Sequence, residues 1–145
     1  MIEIVTRKLL KSEIKPAVKI WLDASKKAHF FISSAYWESK AEEMENLWLP
    51  SADNTALIKD ERLIGFSSLV DDRLAAIFVD TDEQGNGYGS LLLSEAKKRR
   101  NQLELTVYEK NIHAVTFYEK YGFQKTEKRK DSGTGEFEFV MVWTK

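Results

Sequence analysis

The sequence has no cysteine, which excludes a disulfide framework, a thiol nucleophile and thiolate zinc sites in one step. It lacks an excess of either charge: 22 basic residues face 23 acidic ones, for a net charge of -1. Such a balance gives no general attraction to nucleic acid or acidic membranes, so an anionic ligand needs a local site. No apolar run approaches the roughly 20 residues that span a bilayer. Met1 to Leu10 carries Glu3, Arg7 and Lys8 where a secretory signal would be apolar. Repeats, linkers and low-complexity segments are absent as well. The expectation is a cytoplasmic protein with one domain over residues 1–145, a length that buries about two thirds of its unfolded surface without staples.

What is present reads as alternating elements. Ile2 to Thr6 alternates like a strand. Ser12 is placed to cap a helix in which Ile14, Ala17, Val18, Trp21 and Ala24 share a face. Lys26 to Ser33 connects to a second helix capped by Ser34, with Trp37, Ala41, Met44 and Trp48 on one side and Pro50 as its stop. Thr55–Lys59, Arg62–Val70 and Leu74–Val79 follow as strands joined by Asp60-Glu61 and Asp71-Asp72, turns short enough to make them antiparallel. The continuous apolar run of the third predicts burial on both faces. A helix over Ser90–Arg100 and a strand over Leu103–Tyr108 make a right-handed crossover with parallel strands. A helix capped by Asn111 and stopped by Gly122 comes next. A hairpin of Phe123–Lys130 and Glu136–Trp143 closes the chain. The class is α/β: a mixed central sheet of about seven strands with about four helices, in the order β-α-α-β-β-β-α-β-α-β-β.

The segment with the most chemistry is Gln84-Gly85-Asn86-Gly87-Tyr88-Gly89, which opens the helix at Ser90. Its glycines permit turns barred to other residues and a close backbone approach to a ligand. Amides gathered at a helix N-terminus form a nest for a phosphate or pyrophosphate. Asp80, Asp82 and Glu83 just upstream look wrong for an anion site, but need not matter if their side chains turn to solvent. A P-loop needs Lys and Ser or Thr after the last glycine, and here Ser90 and Leu91 follow. A dinucleotide loop needs a third glycine where Ser90 stands, although Glu109, 20 residues beyond Gly89, keeps that reading in play. The pattern Q/R-x-x-G-x-G/A is matched in full by Gln84, Gly87 and Gly89.

A second motif lies downstream. Asn111, Ala114, Phe117, Tyr118, Gly122 and Phe123 fall in the spacing N-x-x-A-x-x-F/L-Y-x-x-x-G-F. Locally this is a capped helix with an aromatic face and a glycine stop. In this order and at this distance from the first loop, the pair resembles the two signatures of the GCN5-related N-acetyltransferase (GNAT) family, in particular its small single-domain bacterial members. The element order fits that fold over nearly the whole chain. The resemblance implies acetyl-CoA as cosubstrate, no metal, and transfer of its acetyl group to a primary amine by direct attack in a ternary complex. The acceptor would be a protein lysine, a protein N-terminus or a small amine. Monomer and homodimer both remain open, and neither nucleic acid nor membrane is implied.

The same resemblance implies roles for residues. The strands Leu74–Val79 and Leu103–Tyr108 would splay, with the pantetheine arm pairing near Phe78 and Val79. The pyrophosphate would rest on Gln84, Gly85, Asn86, Gly87, Tyr88, Gly89 and Ser90, with Asn111 and Phe117 also at the cofactor. Tyr118 would be the general acid for the departing thiolate, its phenol of pKa about 10 facing a thiol of about 8.5. Many relatives place a glutamate base where this chain has Thr106, which cannot serve. Glu104 on the same strand face and His29 are the candidate bases, with water as a third route. His29, Tyr36 and Trp37 would shape the acceptor pocket. The alternative is a CoA-binding sensor or interaction module without turnover.

Overall fold

The computed structural model describes residues 1–145. Strand β1 (Ile4–Lys8) leads to helix α1 (Ile14–Ala28). Helix α2 (Ser34–Glu43) continues through a π-helical turn at Met44–Trp48 into a last turn at Leu49–Ser51. Strands β2 (Asp53–Lys59), β3 (Arg62–Val70) and β4 (Arg73–Val79) follow. Helix α3 (Tyr88–Arg99), strand β5 (Gln102–Tyr108), helix α4 (Ile112–Lys120) and strands β6 (Gln124–Lys130) and β7 (Phe137–Thr144) complete the chain. The element order is the expected one, and the sheet has seven strands in the order β1-β2-β3-β4-β5-β7-β6. No helix is long and apolar enough to cross a membrane.

The local deviations have physical causes. Helix α1 begins without Ser12 as cap. Glu13, paired with Arg7 at 2.8 Å, accepts the Leu10 N–H at 2.9 Å and closes a 3-10 turn instead. The cap of α2 is Ser33, one residue before the expected Ser34, and its hydroxyl accepts from the Ala35 amide. Pro50 does not stop α2 at once, because the π turn lengthens the loop of backbone before it. That extra residue shifts the phase of the apolar stripe. Leu49, 1% exposed, takes the core position expected of Trp48, which is 41% exposed.

The β2–β3 turn is tight: Asp60 and Glu61 both have positive φ, 47° and 69°. A two-residue turn of that hand matches the twist of the strands. Asp60 offsets its strain by accepting the Glu3 amide on Oδ1 at 2.9 Å.

The two faces of the sheet bury different cores. Helices α1 and α2 cover Ala56, Ile58, Phe66 and Ala76 with Trp21, Trp37 and Leu49. Helices α3 and α4 cover the other face, where Leu92 meets Leu57 and Ile64, and Leu93 and Val115 meet Leu103, Leu105 and Met141. The sheet is cut in the middle. Strands β4 and β5 are parallel and meet only at Arg73 and Glu104, then diverge. Beyond β5 the ladder resumes, with β7 paired antiparallel from Gln102–Thr144 to Tyr108–Glu138. The apolar run of β4 is therefore not buried on both faces: Leu74 and Ala76 are buried, Ala75 is exposed, and Ile77, Phe78 and Val79 remain partly open. Its apolar character belongs to the wall of the gap.

Candidate active site

The gap between β4 and β5 holds a cavity of about 550 Å³. All six residues from Leu74 to Val79 line one side, and Leu105 to Tyr108 the other. Ala24, Ala28 and His29 reach it from α1 on one face of the sheet, and residues of α3 and α4 reach it from the other. The cavity thus crosses the sheet where its hydrogen bonds are missing.

One end is the glycine loop. Gly85 and Gly87 have φ of 84° and 82°, and Gly87 is the N-cap of α3. These turns leave the amides of Gly85 through Ser90 with no protein acceptor, a converging set of donors at the positive end of a helix dipole. Asn86 is not in the cavity wall. Its side-chain amide donates to the Glu83 carbonyl at 3.0 Å and shapes the loop from outside. The Ser90 hydroxyl donates to the Gly87 carbonyl at 2.8 Å.

Glu83 does not turn to solvent, so its charge is met in another way. It is buried, bound by both oxygens to Lys59 Nζ at 2.9 and 2.8 Å, with Arg62 at 3.5 Å. Arg62 also pairs with Asp80. Two of the three acidic residues beside the nest are thereby neutralised.

Helix α4 forms the wall opposite the loop. Asn111 Oδ1 accepts the Ala114 amide at 3.3 Å and starts the helix where β5 ends. Phe117 and Tyr118 both line the cavity. Tyr118 packs edge-on to Phe117 and Phe123, with centroids 5.3 and 5.4 Å away, which fixes its ring. Burial pushes its phenol well above the ordinary tyrosine range, so the hydroxyl stays protonated at neutral pH.

His29 is buried at the α1 side, its ring stacked on Trp37 at 5.0 Å and its Nε2 3.3 Å from Asn111 Nδ2. Asn111 Oδ1 is engaged with a backbone donor, so its Nδ2 donates and His29 Nε2 accepts. The proton of neutral His29 then sits on Nδ1, which has no hydrogen-bond partner among the protein atoms. Burial lowers the His29 pKa to about 4. A base that weak, with its free lone pair committed, does not take a proton from an ammonium group. Its geometry suits the orientation of Asn111.

Between pH 6.5 and 4 the unfolded chain protonates this histidine and the folded one does not, so stability falls as pH falls through that window. The shift corresponds to roughly 3 kcal/mol at most. Denaturant titrations at pH 7 and 4.5 are expected to show a smaller loss for His29→Gln than for the wild type.

The other expected site residues divide. Phe78, Val79, Gln84, Tyr88 and Gly89 line the cavity. Glu104 is not brought to it. It is exposed, at the point where β4 and β5 are still joined. Trp37 is core, and Tyr36 packs between Trp37 and the β6–β7 turn, so neither lines the cavity. Tyr108 was missed by the sequence reading. It lines the cavity and its hydroxyl donates to Asp131 Oδ2 at 2.7 Å, tying the β6–β7 turn to β5. Burial and the Asp131 charge raise its pKa. Burial works to raise the Asp131 carboxyl, but donation from Tyr108, Gly133 and Thr134 holds it below the usual range. Tyr108 stands two residues after Thr106 on the same strand face, which was the available signal. No three His, Asp or Glu side chains are grouped to hold a metal ion.

Comparison with known proteins agrees with this geometry. Residues 11–137 match the family model described as acetyltransferase (GNAT) domain. The chain is 30% identical over 138 residues to the peptidyl-lysine N-acetyltransferase YiaC of Escherichia coli strain K12, covering 94% of each. Its fold superposes on the solution structure of the apo form of Escherichia coli YjaB with a TM-score of 0.85, at 27% identity over 97% of both chains. The PaiA N-acetyltransferase of Thermoplasma acidophilum, solved in complex with coenzyme A, gives a TM-score of 0.82 at 22% identity, over 99% of both chains.

Proposed function

The chain belongs to the GNAT acetyltransferase family, and from that premise we propose that it moves the acetyl group of acetyl-CoA to the side-chain amine of a protein lysine. One observation carries the reading: a cavity through the β4–β5 gap joins a nest of free amides to the face of Tyr118. The pyrophosphate rests on the amides of Gly85 to Ser90, and the pantetheine arm lies along β4 near Phe78 and Val79 as an added strand. Gln84, Tyr88, Asn111 and Phe117 border this donor path. The choice of a lysine rests on the name of the YiaC relative, a peptidyl-lysine N-acetyltransferase.

The amine enters from the α1 side, past His29 and Tyr108. Its nitrogen attacks the thioester carbon, which is polarised by a backbone amide of β4. Holding the two reactants in line supplies much of the acceleration. A lysine ammonium is less than ~0.1% neutral at pH 7, so its proton must first leave. With His29 weakly basic and Glu104 outside the cavity, that proton goes to water on the acceptor side. The N–C bond forms, the C–S bond breaks, the Tyr118 hydroxyl donates to the thiolate, and the proton that nitrogen sheds on becoming an amide returns through water to the Tyr118 oxygen.

The test is thiol release from acetyl-CoA with lysine peptides, peptides acetylatable only at the N-terminus, and small amines, alongside calorimetric binding of CoA. Release is expected with lysine peptides above the other acceptors. CoA binding without release from any acceptor would establish the alternative, a sensor without turnover. Absence of CoA binding would remove the cofactor assignment altogether.

A further inference from the structure

We propose that Lys27, on the last turn of α1, is the cation that holds the CoA pyrophosphate together with the loop amides. The loop motif admits glutamine or arginine at its first position, and this chain has Gln84, so the motif itself brings no positive charge. Gln84 keeps one amide proton but is otherwise committed. Its Nε2 donates to the Val79 carbonyl at 3.1 Å, and its Oε1 accepts from Lys27 Nζ at 3.3 Å. Turning the amide over would set its NH2 against the ammonium and its oxygen against the Val79 carbonyl, so both neighbours fix the same orientation. Gln84 therefore serves as a bracket between the end of β4 and the lysine.

Lys27 is unoccupied in the electrostatic sense. Its neighbour Lys26 pairs with Glu38 at 2.8 Å, and Lys59 and Arg62 near the loop are taken by Glu83 and Asp80. Lys27 has Gln84 alone. Lys27 is held by Gln84, a residue of the cavity wall that opens the loop of free amides, and its ammonium would add a charge-assisted donor to a phosphate site there. It comes from the opposite face of the sheet to α3, so the pyrophosphate would be clasped from two sides. The plain alternative is a lysine that merely favours the negative end of the α1 dipole, and that role needs no ligand.

The experiment compares wild type with Lys27→Gln using three donors. Calorimetry with CoA and with 3′-dephospho-CoA is expected to show Kd raised about 5- to 10-fold for both, the size of one partly exposed charge-assisted contact. With S-acetylpantetheine, which has no pyrophosphate, kcat/KM for thiol release should be unchanged. An unchanged Kd for CoA overturns the proposal. Loss confined to CoA and absent for 3′-dephospho-CoA overturns it in favour of the 3′-phosphate. Equal loss with S-acetylpantetheine overturns it in favour of a structural role. Wild-type CoA binding in the same series tests the cofactor reading separately.

Discussion

Replacing Tyr118 by phenylalanine is expected to lower kcat by about 10²- to 10³-fold, the range of a lost general acid, while the Kd for CoA changes little. The substitution removes one oxygen and keeps the ring that Phe117 and Phe123 hold edge-on at 5.3 and 5.4 Å. Packing and the cavity wall are thus preserved, and the protein should melt within a few degrees of the wild type. Burial makes this phenol a weaker acid than free tyrosine, so donation to a thiolate of reference pKa about 8.5 runs uphill. In the proposed role it would therefore donate only once sulfur carries most of the negative charge. Loss of an interaction made only at that point lowers kcat and kcat/KM together. Steady-state kinetics at saturating amine, with calorimetry on the same samples, read both quantities. Full activity in Tyr118→Phe would remove the hydroxyl from the reaction.

The second large effect is expected at the other end of the cavity. Gly87 sits in the left-handed region, φ 82° and ψ 8°, as the N-cap of α3. A β-branched residue there costs at least about 1–2 kcal/mol of backbone strain. Space is not the obstacle, since a Cβ at this position would meet only the Ser90 hydroxyl, at 3.9 Å. Gly87→Val should therefore fold, but with the loop relaxed to another turn and the amides of Gly85 to Ser90 no longer converging. Each charge-assisted donor is worth roughly 1.5–3 kcal/mol, so misaiming one is expected to weaken CoA binding by about 10- to 100-fold. Calorimetry measures this directly. Wild-type affinity in Gly87→Val would mean that the helix start does not hold the anion.

Both cavity-lining motifs were legible in the sequence because each is local. Gln84 to Gly89 and Asn111 to Phe123 each form a turn or capped helix within a few residues, where spacing and glycine chemistry decide the shape. The Asp60-Glu61 hairpin was legible for the same reason. What was not legible depends on contacts distant in the chain or on an extra residue. The pairing of Glu83 was not legible because its partner Lys59 lies 24 residues away, on β2. Trp48 looked like core because a 3.6-residue period carries no mark of the π turn that hands its place to Leu49. Glu104 shows the limit of strand parity. Alternation gives the face correctly, but two residues are about 6.6 Å of strand, enough to leave Glu104 at the joined end of the gap while Thr106 lines the cavity. The insertion of β7 between β5 and β6 had no local signal either, since a hairpin can dock by either strand.

The single bridge between Arg73 and Glu104 makes the sheet two plates, one of four strands and one of three, hinged at one end. On the proposed placement, the pantetheine arm is the wedge that restores continuity between them. Acetylated and free CoA carry the same arm, so both stiffen the protein, by about 2.7 kcal/mol at a concentration one hundred times Kd. Resistance to unfolding and proteolysis would then follow the total CoA pool, whereas the rate of acetylation would follow only its acetylated fraction. A cell that exhausts its acetyl groups but keeps its CoA would hold this protein intact and idle.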